Sequence, residues 1–452
     1  KLKQLSIGAV WYTGVISHAT KTHFRGIPDC NSSIVKGEAG SPYAIRNYFD
    51  VDPALARNVD NRMAEFQALV DRTHKAGMKV IIDFVPNHVF REYNTYFTKE
   101  NFYILNEPLH LPGELCSNYI ENPAKATGND VFSAYPSVSD WYETVKLNYG
   151  SHSTWEKMLD ILKFWASKGV DGFRCDMVEM VPADFFKWAF SEVRKSFPSM
   201  MFIAEVYQKS NYQNYASAGF DLLYDKSGFY DALRGIIAGA RPASDLTREW
   251  QDIGDLQPKM LNFLENHDEQ RVASDFFAGS GRLAFPALAV SLLFNTAPFM
   301  IYFGQEFGER GMEAEGFSGR DGRTSIYDYC IVPSIKRFLL DRLSLEESLI
   351  YKEYCRLMRI ATADSIFSKG KTFDLMYANP ASSRFNPQKQ FVWMRGYAGA
   401  AMVIVANFDS TPVEVDVCIP QEAFDYFGIE RKAPVIHTRV NARDYMRVDI
   451  SE

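Results

Sequence analysis

Short apolar runs that stop at polar clusters set the tightest limit on how this chain folds. Residues 79–85 (Lys-Val-Ile-Ile-Asp-Phe-Val) are nearly continuous in apolar character, as in a parallel strand covered on both faces, and they stop at Pro86-Asn87-His88. Residues 169–176 repeat the pattern: a glycine turn and a short buried strand, then Arg174 and Asp176. Side chains alternate along a strand, so these two share a face. Further runs lie at 6–12, 201–205, 220–223, 260–264 and 299–303. Helical periodicity fills the gaps: 60–76 places Met63, Phe66, Leu69 and Val70 on one face and stops at Gly77, and 153–168 turns Trp155, Met158, Leu159, Leu162 and Trp165 inward. A third helix carries Phe185, Phe186, Trp188 and Phe190. Strand and helix alternating for this long predict an α/β fold. Polar clusters gathered on one rim favour a (β/α)8 TIM barrel over an open sheet. Seven strands are counted, so a first strand and helix are expected ahead of Lys1, with an incomplete barrel as the alternative, and the compartment is left open because the chain begins with Lys rather than Met.

The barrel is expected in two parts, 1–88 and 151–365. Between them, 89–150 is irregular and rich in Asn, Tyr, Pro and Ser, too long for a connection, and is expected to be a small inserted domain. From 366 to 452 the texture becomes that of an antiparallel β-sandwich, with strands expected near 391–394, 401–405 and 413–417. A chain of 452 residues with 46% hydrophobic and 23% charged residues can bury a large core. Its net charge of -7 argues against a nucleic-acid groove, which needs a basic stripe. Six cysteines without a CxxC pair suggest neither a disulfide framework nor zinc. The apolar run 283–303 is interrupted by Pro286, Asn295 and Pro298, so it reads as a buried helix followed by a buried strand and not as a membrane span.

Three acids fall at strand ends: Asp176, Glu205 and Asp268. Asp176 and Glu205 would end neighbouring strands, which brings their carboxyl groups to about 5 Å, the separation used by retaining glycosidases. Arg174 beside Asp176 is expected to lower its pKa and keep it ionised as a nucleophile. Glu205, closing the apolar Phe202-Ile203-Ala204 run, is expected to have a raised pKa and to serve as general acid, then base. Asp268 would hold sugar hydroxyls more tightly as the ring flattens, with His88 and His267 donating to the same ring.

Four stretches carry a family resemblance: Asp83-Phe84-Val85-Pro86-Asn87-His88, Gly172-Phe173-Arg174-Cys175-Asp176, Ile203-Ala204-Glu205-Val206 and Phe263-Leu264-Glu265-Asn266-His267-Asp268. In order and position they resemble the signature regions of the α-amylase superfamily, glycoside hydrolase family thirteen. The resemblance implies a catalytic barrel with an insertion after its third strand, a C-terminal β-sandwich, and retaining chemistry on α-glucosidic bonds. It implies that Asp176 is the nucleophile, Glu205 the acid/base, Asp268 the transition-state stabiliser, and Arg174, His88 and His267 ligands of the reacting sugar. Tyr43 resembles the tyrosine that stacks on that sugar, although Pro42 stands where glycine is usual; Asp83 resembles a structural residue. Glu179 and Met180 replace the lysine and histidine that hold the leaving glucan in many members. Asn87 resembles an asparagine that binds structural calcium, with Asp130 and Asp140 as candidate further ligands. No cofactor is implied for the chemistry. The loop 304–323 is expected to border the cleft, with 319–323 in reach of substrate, whereas Tyr135, Trp141 and Tyr142 of the insertion are expected mainly to pack. The resulting expectation is a hydrolase of α-1,4 bonds in starch or maltodextrin. A transglycosylase on the same site and a silent glucan-binding protein are the rivals, and the intact acid trio argues against the last.

Overall fold

A computed structural model describes residues 1–429 apart from 94, 116–117 and 314–318. The first strand, β1 (Ala9–Tyr12), is followed by a two-stranded antiparallel pair, β2 (Ile16–His18) and β3 (Ile45–Val51). After a helix at Arg62–Lys75 comes β4 (Lys79–Phe84); β5 (His88–Phe90) then pairs antiparallel with β6 (Thr144–Lys146) across the irregular stretch between them. Strand β7 (Gly172–Cys175), β8 (Met201–Ala204), β9 (Leu222–Tyr224), β10 (Met260–Phe263) and β11 (Phe299–Met300) follow, separated by helices that include His152–Ser167, Ala183–Ser196 and Phe285–Leu293. The seven strands β1, β4, β7, β8, β9, β10 and β11 form one sheet in sequence order, and every pairing is parallel. All their C-terminal ends therefore lie on one rim.

The period-two reading is visible in the packing. Ile82, Phe84, Phe173, Cys175 and Phe202 face one cluster with helix residues Met158, Leu162, Phe186 and Phe190, whereas Ile81, Ile203, Leu261 and Phe263 join another. Three of the helix ends are turned by the same device. After Arg62–Lys75, Gly77 adopts φ +79° and its N–H bonds to His74 O while Met78 N bonds to Thr73 O; Gly169 repeats this after the helix His152–Ser167 and Gly219 after the short helix Tyr212–Ser217, at φ +86° and +103°. Two such bonds around a left-handed residue satisfy the last helical carbonyls, and glycine adopts that conformation without strain. The apolar run at 283–303 resolves into the helix Phe285–Leu293 and strand β11, and no helix among the described residues is long and apolar enough to cross a membrane.

The C-terminal region departs from expectation. Among the described residues it forms one antiparallel sheet, β12 (Lys371–Asp374), β13 (Gln390–Tyr397) and β14 (Ala400–Asn407), rather than the two layers of a sandwich. Residues 430–452 of the expected sandwich lie outside the described residues. Ala398 and Gly399, both at positive φ, make the two-residue hairpin turn. The expected strand at 413–417 is irregular, because the neighbouring Cys418 bonds with the Asn379 side chain, which takes both its N–H and its C=O. The sheet shares a core with the helix Phe285–Leu293: Phe294 lies 5.4 Å from Phe391 and 5.7 Å from Trp393 between ring centres.

Candidate active site

Arg174 is the hub of the rim. It is fully buried, one residue before the end of β7, and register places it level with Asp83 on β4 and Ile203 on β8. Its Nη1 donates to Asp176 Oδ1 at 2.7 Å, its Nη2 makes ion-pair contact with Glu205 Oε1 at 2.5 Å, and Asp83 Oδ1 lies 3.6 Å away. Aromatic faces surround it, with Trp11, Tyr43 and Tyr224 rings centred 5.2, 5.4 and 5.7 Å from the guanidinium carbon. Arg174 and Asp176 do point the same way.

One consequence predicted for this pair is reversed. Asp176 is not held low: burial raises its pKa well above the usual carboxylate range, the Glu205 carboxylate adds to the rise, and Arg174 only opposes it. One guanidinium serves two buried carboxylates, so keeping both ionised is disfavoured. Glu205 has the richer donor set, for Met177 N donates to Oε2 at 2.7 Å and the Tyr207 hydroxyl to Oε1 at 2.8 Å. Met177 reaches this bond from the left-handed region at φ +46°, uncommon for a non-glycine residue. Asp83, which accepts from Gly14 N at 3.3 Å, is pushed up to about 6 by burial against the lowering effect of Arg174.

Beyond β10, His267 and Asp268 complete the rim. His267 Nε2 lies 2.6 Å from the Tyr43 hydroxyl and 3.1 Å from Asp268 Oδ2, and its ring stacks on Tyr43 at 5.4 Å. Asp268 keeps 41% of its side chain exposed, so it faces open space. The loop behind it is braced: Asn266 Oδ1 accepts from the N–H groups of Asp268 and Glu269, and the fully buried Glu265–Arg271 pair closes at 2.8 Å. Of the 319–323 segment, Arg323 Nε donates to Asp268 O at 2.8 Å and Gly322 O accepts from Arg271 N, so this turn borders the acid as expected.

His88 lies on the other side, beside Trp141 at 5.3 Å between ring centres. Burial first, then Lys146, lowers its pKa to about 3; burial and Arg174 do the same for His267. Both rings are neutral and each offers one N–H. Tyr142 is buried in a small cluster with Phe90 and Ala44, while Tyr135 stays exposed and stacks on His110.

Calcium at Asn87 does not fit. Its Oδ1 accepts from Lys146 Nζ at 2.5 Å, and Lys146 also engages Asp130 Oδ1 at 2.8 Å. Asp140 is committed to a turn, accepting from Ser137 N and Asn129 Nδ2. A cation brought to Asn87 would meet an ammonium already in place, and among the described residues no cluster of three or more His, Cys, Asp or Glu could hold a metal ion. Sequence reasoning missed Lys146, and it missed Trp11, Tyr207 and Tyr224. Trp11 and Tyr224 end or nearly end strands of the same sheet, and Tyr207 lies two residues past Glu205, so position on the rim was the available signal. Glu179, in the leaving-side position, is occupied: it accepts from Tyr207 N at 2.9 Å, Gln208 N at 3.2 Å and Asn211 Nδ2 at 2.7 Å.

Acids, an arginine and neutral histidines gathered at the C-terminal rim of a parallel α/β sheet define a glycosidase type of site. The family description "Alpha amylase, catalytic domain" matches residues 1–337, and the chain belongs to that family of glycosidases. An α-amylase 3 of Dictyoglomus thermophilum is 25% identical over 354 residues, covering 73% of this chain and 68% of that protein. A cyclomaltodextrin glucanotransferase of Geobacillus stearothermophilus is 28% identical over 322 residues, 68% of this chain but only 42% of the relative. In fold, the chain is similar to a maltogenic α-amylase from Thermotoga neapolitana (TM-score 0.62, 22% identity, covering 90% of this chain and 79% of that one) and to a debranching enzyme from Nostoc punctiforme (TM-score 0.65, 18% identity, 91% and 78%).

Proposed function

We propose that this chain is a retaining hydrolase of α-1,4-glucosidic bonds in starch or maltodextrin. The observation that carries the reading is the bridging of Asp176 and Glu205 by the single Arg174 guanidinium. The two acids follow a register pair, Cys175 and Ala204, on strands about 4.8 Å apart. That suits the separation of about 5–5.5 Å at which one carboxylate attacks directly, rather than the wider gap that admits a water between them.

The steps follow from this pair. An ionised Asp176 oxygen attacks the anomeric carbon and forms an ester bond as the glycosidic C–O bond breaks, and Glu205 gives its proton to the leaving oxygen. Glu205, now a carboxylate, takes a proton from water; the water oxygen bonds to the anomeric carbon and Asp176 leaves. Two carboxylates bridged by one guanidinium are suited to this alternation. Asp268 stabilises the positive ring at the transition state, Tyr43 stacks on the sugar, and Arg174, His88 and His267 bind it. No cofactor is called for.

A second reading, transfer to a sugar hydroxyl instead of water, draws support from the glucanotransferase among the relatives. A product time course from maltoheptaose separates the two: shorter oligosaccharides alone are expected for hydrolysis, and products longer than the starting sugar would favour transfer. Binding without any turnover would overturn both.

A further inference from the structure

Three separate parts of the chain meet at one lysine. Lys146 ends β6, directly opposite His88 in the β5–β6 ladder, and is buried. Its ammonium group donates to Asn87 Oδ1 at 2.5 Å, just beyond β4, and to the Met180 carbonyl at 2.9 Å, just beyond β7; it pairs with Asp130 Oδ1, from the stretch between β5 and β6, at 2.8 Å. An ammonium has three N–H bonds and no acceptor, so these three oxygens use all of them. The charge and the direction of each contact are those of a cation drawing oxygens inward from three segments.

The surroundings are built to this arrangement. Asn87 is fully buried, and its amide can point only one way: the oxygen must face the ammonium, and the nitrogen donates to Gly128 O at 2.7 Å. The same nitrogen lies 3.0 Å from His88 Nδ1, which must then accept, leaving Nε2 as the N–H nitrogen of the neutral ring. Gly128 permits the close approach, since a Cβ there would stand 2.4 Å from Thr144 Oγ1 and 3.0 Å from His88 Cβ. Calcium needs six to eight oxygens; the oxygens around Asn87 are already spent on an ammonium.

We infer that Lys146 fills the cation position in this chain, so that an ammonium carried by β6, and not a bound divalent ion, ties the stretch between β5 and β6 to the ends of β4 and β7. The inference is independent of the reaction proposed above. It has a plain consequence: the fold does not depend on calcium, and chelators leave it intact.

The test uses the whole chain. Purified protein is assayed for bound calcium by elemental analysis, and its Tm is compared in excess EDTA and in millimolar calcium chloride. The expected result is no stoichiometric calcium and the same Tm in both. One equivalent of bound calcium, or a Tm that rises with calcium, would overturn the inference. Lys146→Met, which keeps length but loses charge and donors, is expected to lose several degrees that calcium does not restore; failure to fold is the same loss at its limit, and an unchanged Tm would overturn the assignment. Lys146→Asp turns the cation position into a further oxygen ligand and is expected to gain Tm on addition of calcium. Indifference of that variant would reduce Lys146 to an ordinary buried ion pair and sink the cation reading.

Discussion

Arg174 and Arg395 are both fully buried, and the chain holds them in opposite ways. Arg174 faces carboxylates: Asp176, Glu205 and, further off, Asp83. Arg395, on β13, makes its hydrogen bonds to backbone carbonyls, donating to Leu293, Asn295, Ile366, Phe367, Gly370 and Lys371. Burial pulls Arg395 down to about 10, still charged at neutral pH; for Arg174 burial pulls the same way, but Glu205, Tyr224, Tyr43 and Asp176 raise it well above the ordinary arginine value. The carbonyls accept six hydrogen bonds without adding charge, which makes Arg395 a clamp between the β12–β14 sheet and the strand–helix layer. The rim around Arg174 carries more negative charge than its one cation neutralises. Such an excess is unfavourable for folding and useful for moving a proton.

Removing a charge should therefore have opposite effects at the two places. Glu205→Gln or Asp176→Asn relieves the excess, so turnover of unactivated glucan is expected to fall by at least ~10³-fold while Tm stays level or rises. Parallel kinetics and thermal unfolding check this; a large drop in Tm would mean that the acids are structural first. Arg395→Met leaves buried carbonyls without partners and is expected to destabilise by on the order of 3 kcal/mol, with kcat per folded molecule unchanged. Denaturant unfolding together with an active-site titration would show it, and loss of kcat without loss of stability would erase the distinction.

The two regions also differ in how much of them a sequence can convey. Strand ends and their acids are local: an apolar run, its stop and the residue at the stop lie within ten positions, so the placement of Asp176, Glu205, Asp268 and both histidines on one rim was legible. The upward shift of the Asp176 pKa was not. Arg174 at i−2 is visible in the sequence, but the stronger influences, burial and a carboxylate from the next strand, exist only after the sheet assembles. Lys146 is 59 residues from Asn87 and 34 from Met180 in an irregular stretch, so nothing local distinguishes it from a solvated lysine. At the C-terminus β12 was missed, and the neighbourhood of 413–417 follows a side-chain amide rather than a ladder partner. Period-two patterning does not separate those cases.

Acid provides the finest division between the two regions. His88 and His267 have folded pKa values near 3 against an unfolded value of about 6.5, so between those limits the unfolded chain binds protons that the fold refuses. Stability must fall as pH drops through that window, by up to about 1.4 kcal/mol per pH unit for each ring. Asp83 and Glu265, raised by burial to about 6 and about 7, act in the other sense: the fold keeps their protons where the unfolded chain has lost them, so they contribute most at low pH and that contribution is lost as pH rises through those values. Between about pH 4.5 and 6 the two effects partly offset, and the histidine term is exposed only by difference. His88→Gln or His267→Gln is expected to flatten the pH dependence of the urea midpoint by close to one proton, whereas Arg395→Met, among carbonyls, should shift the whole curve down without changing its slope. A histidine variant that keeps the native slope would mean that the ring is already charged in the fold, and would remove the neutral N–H donor that the rim relies on.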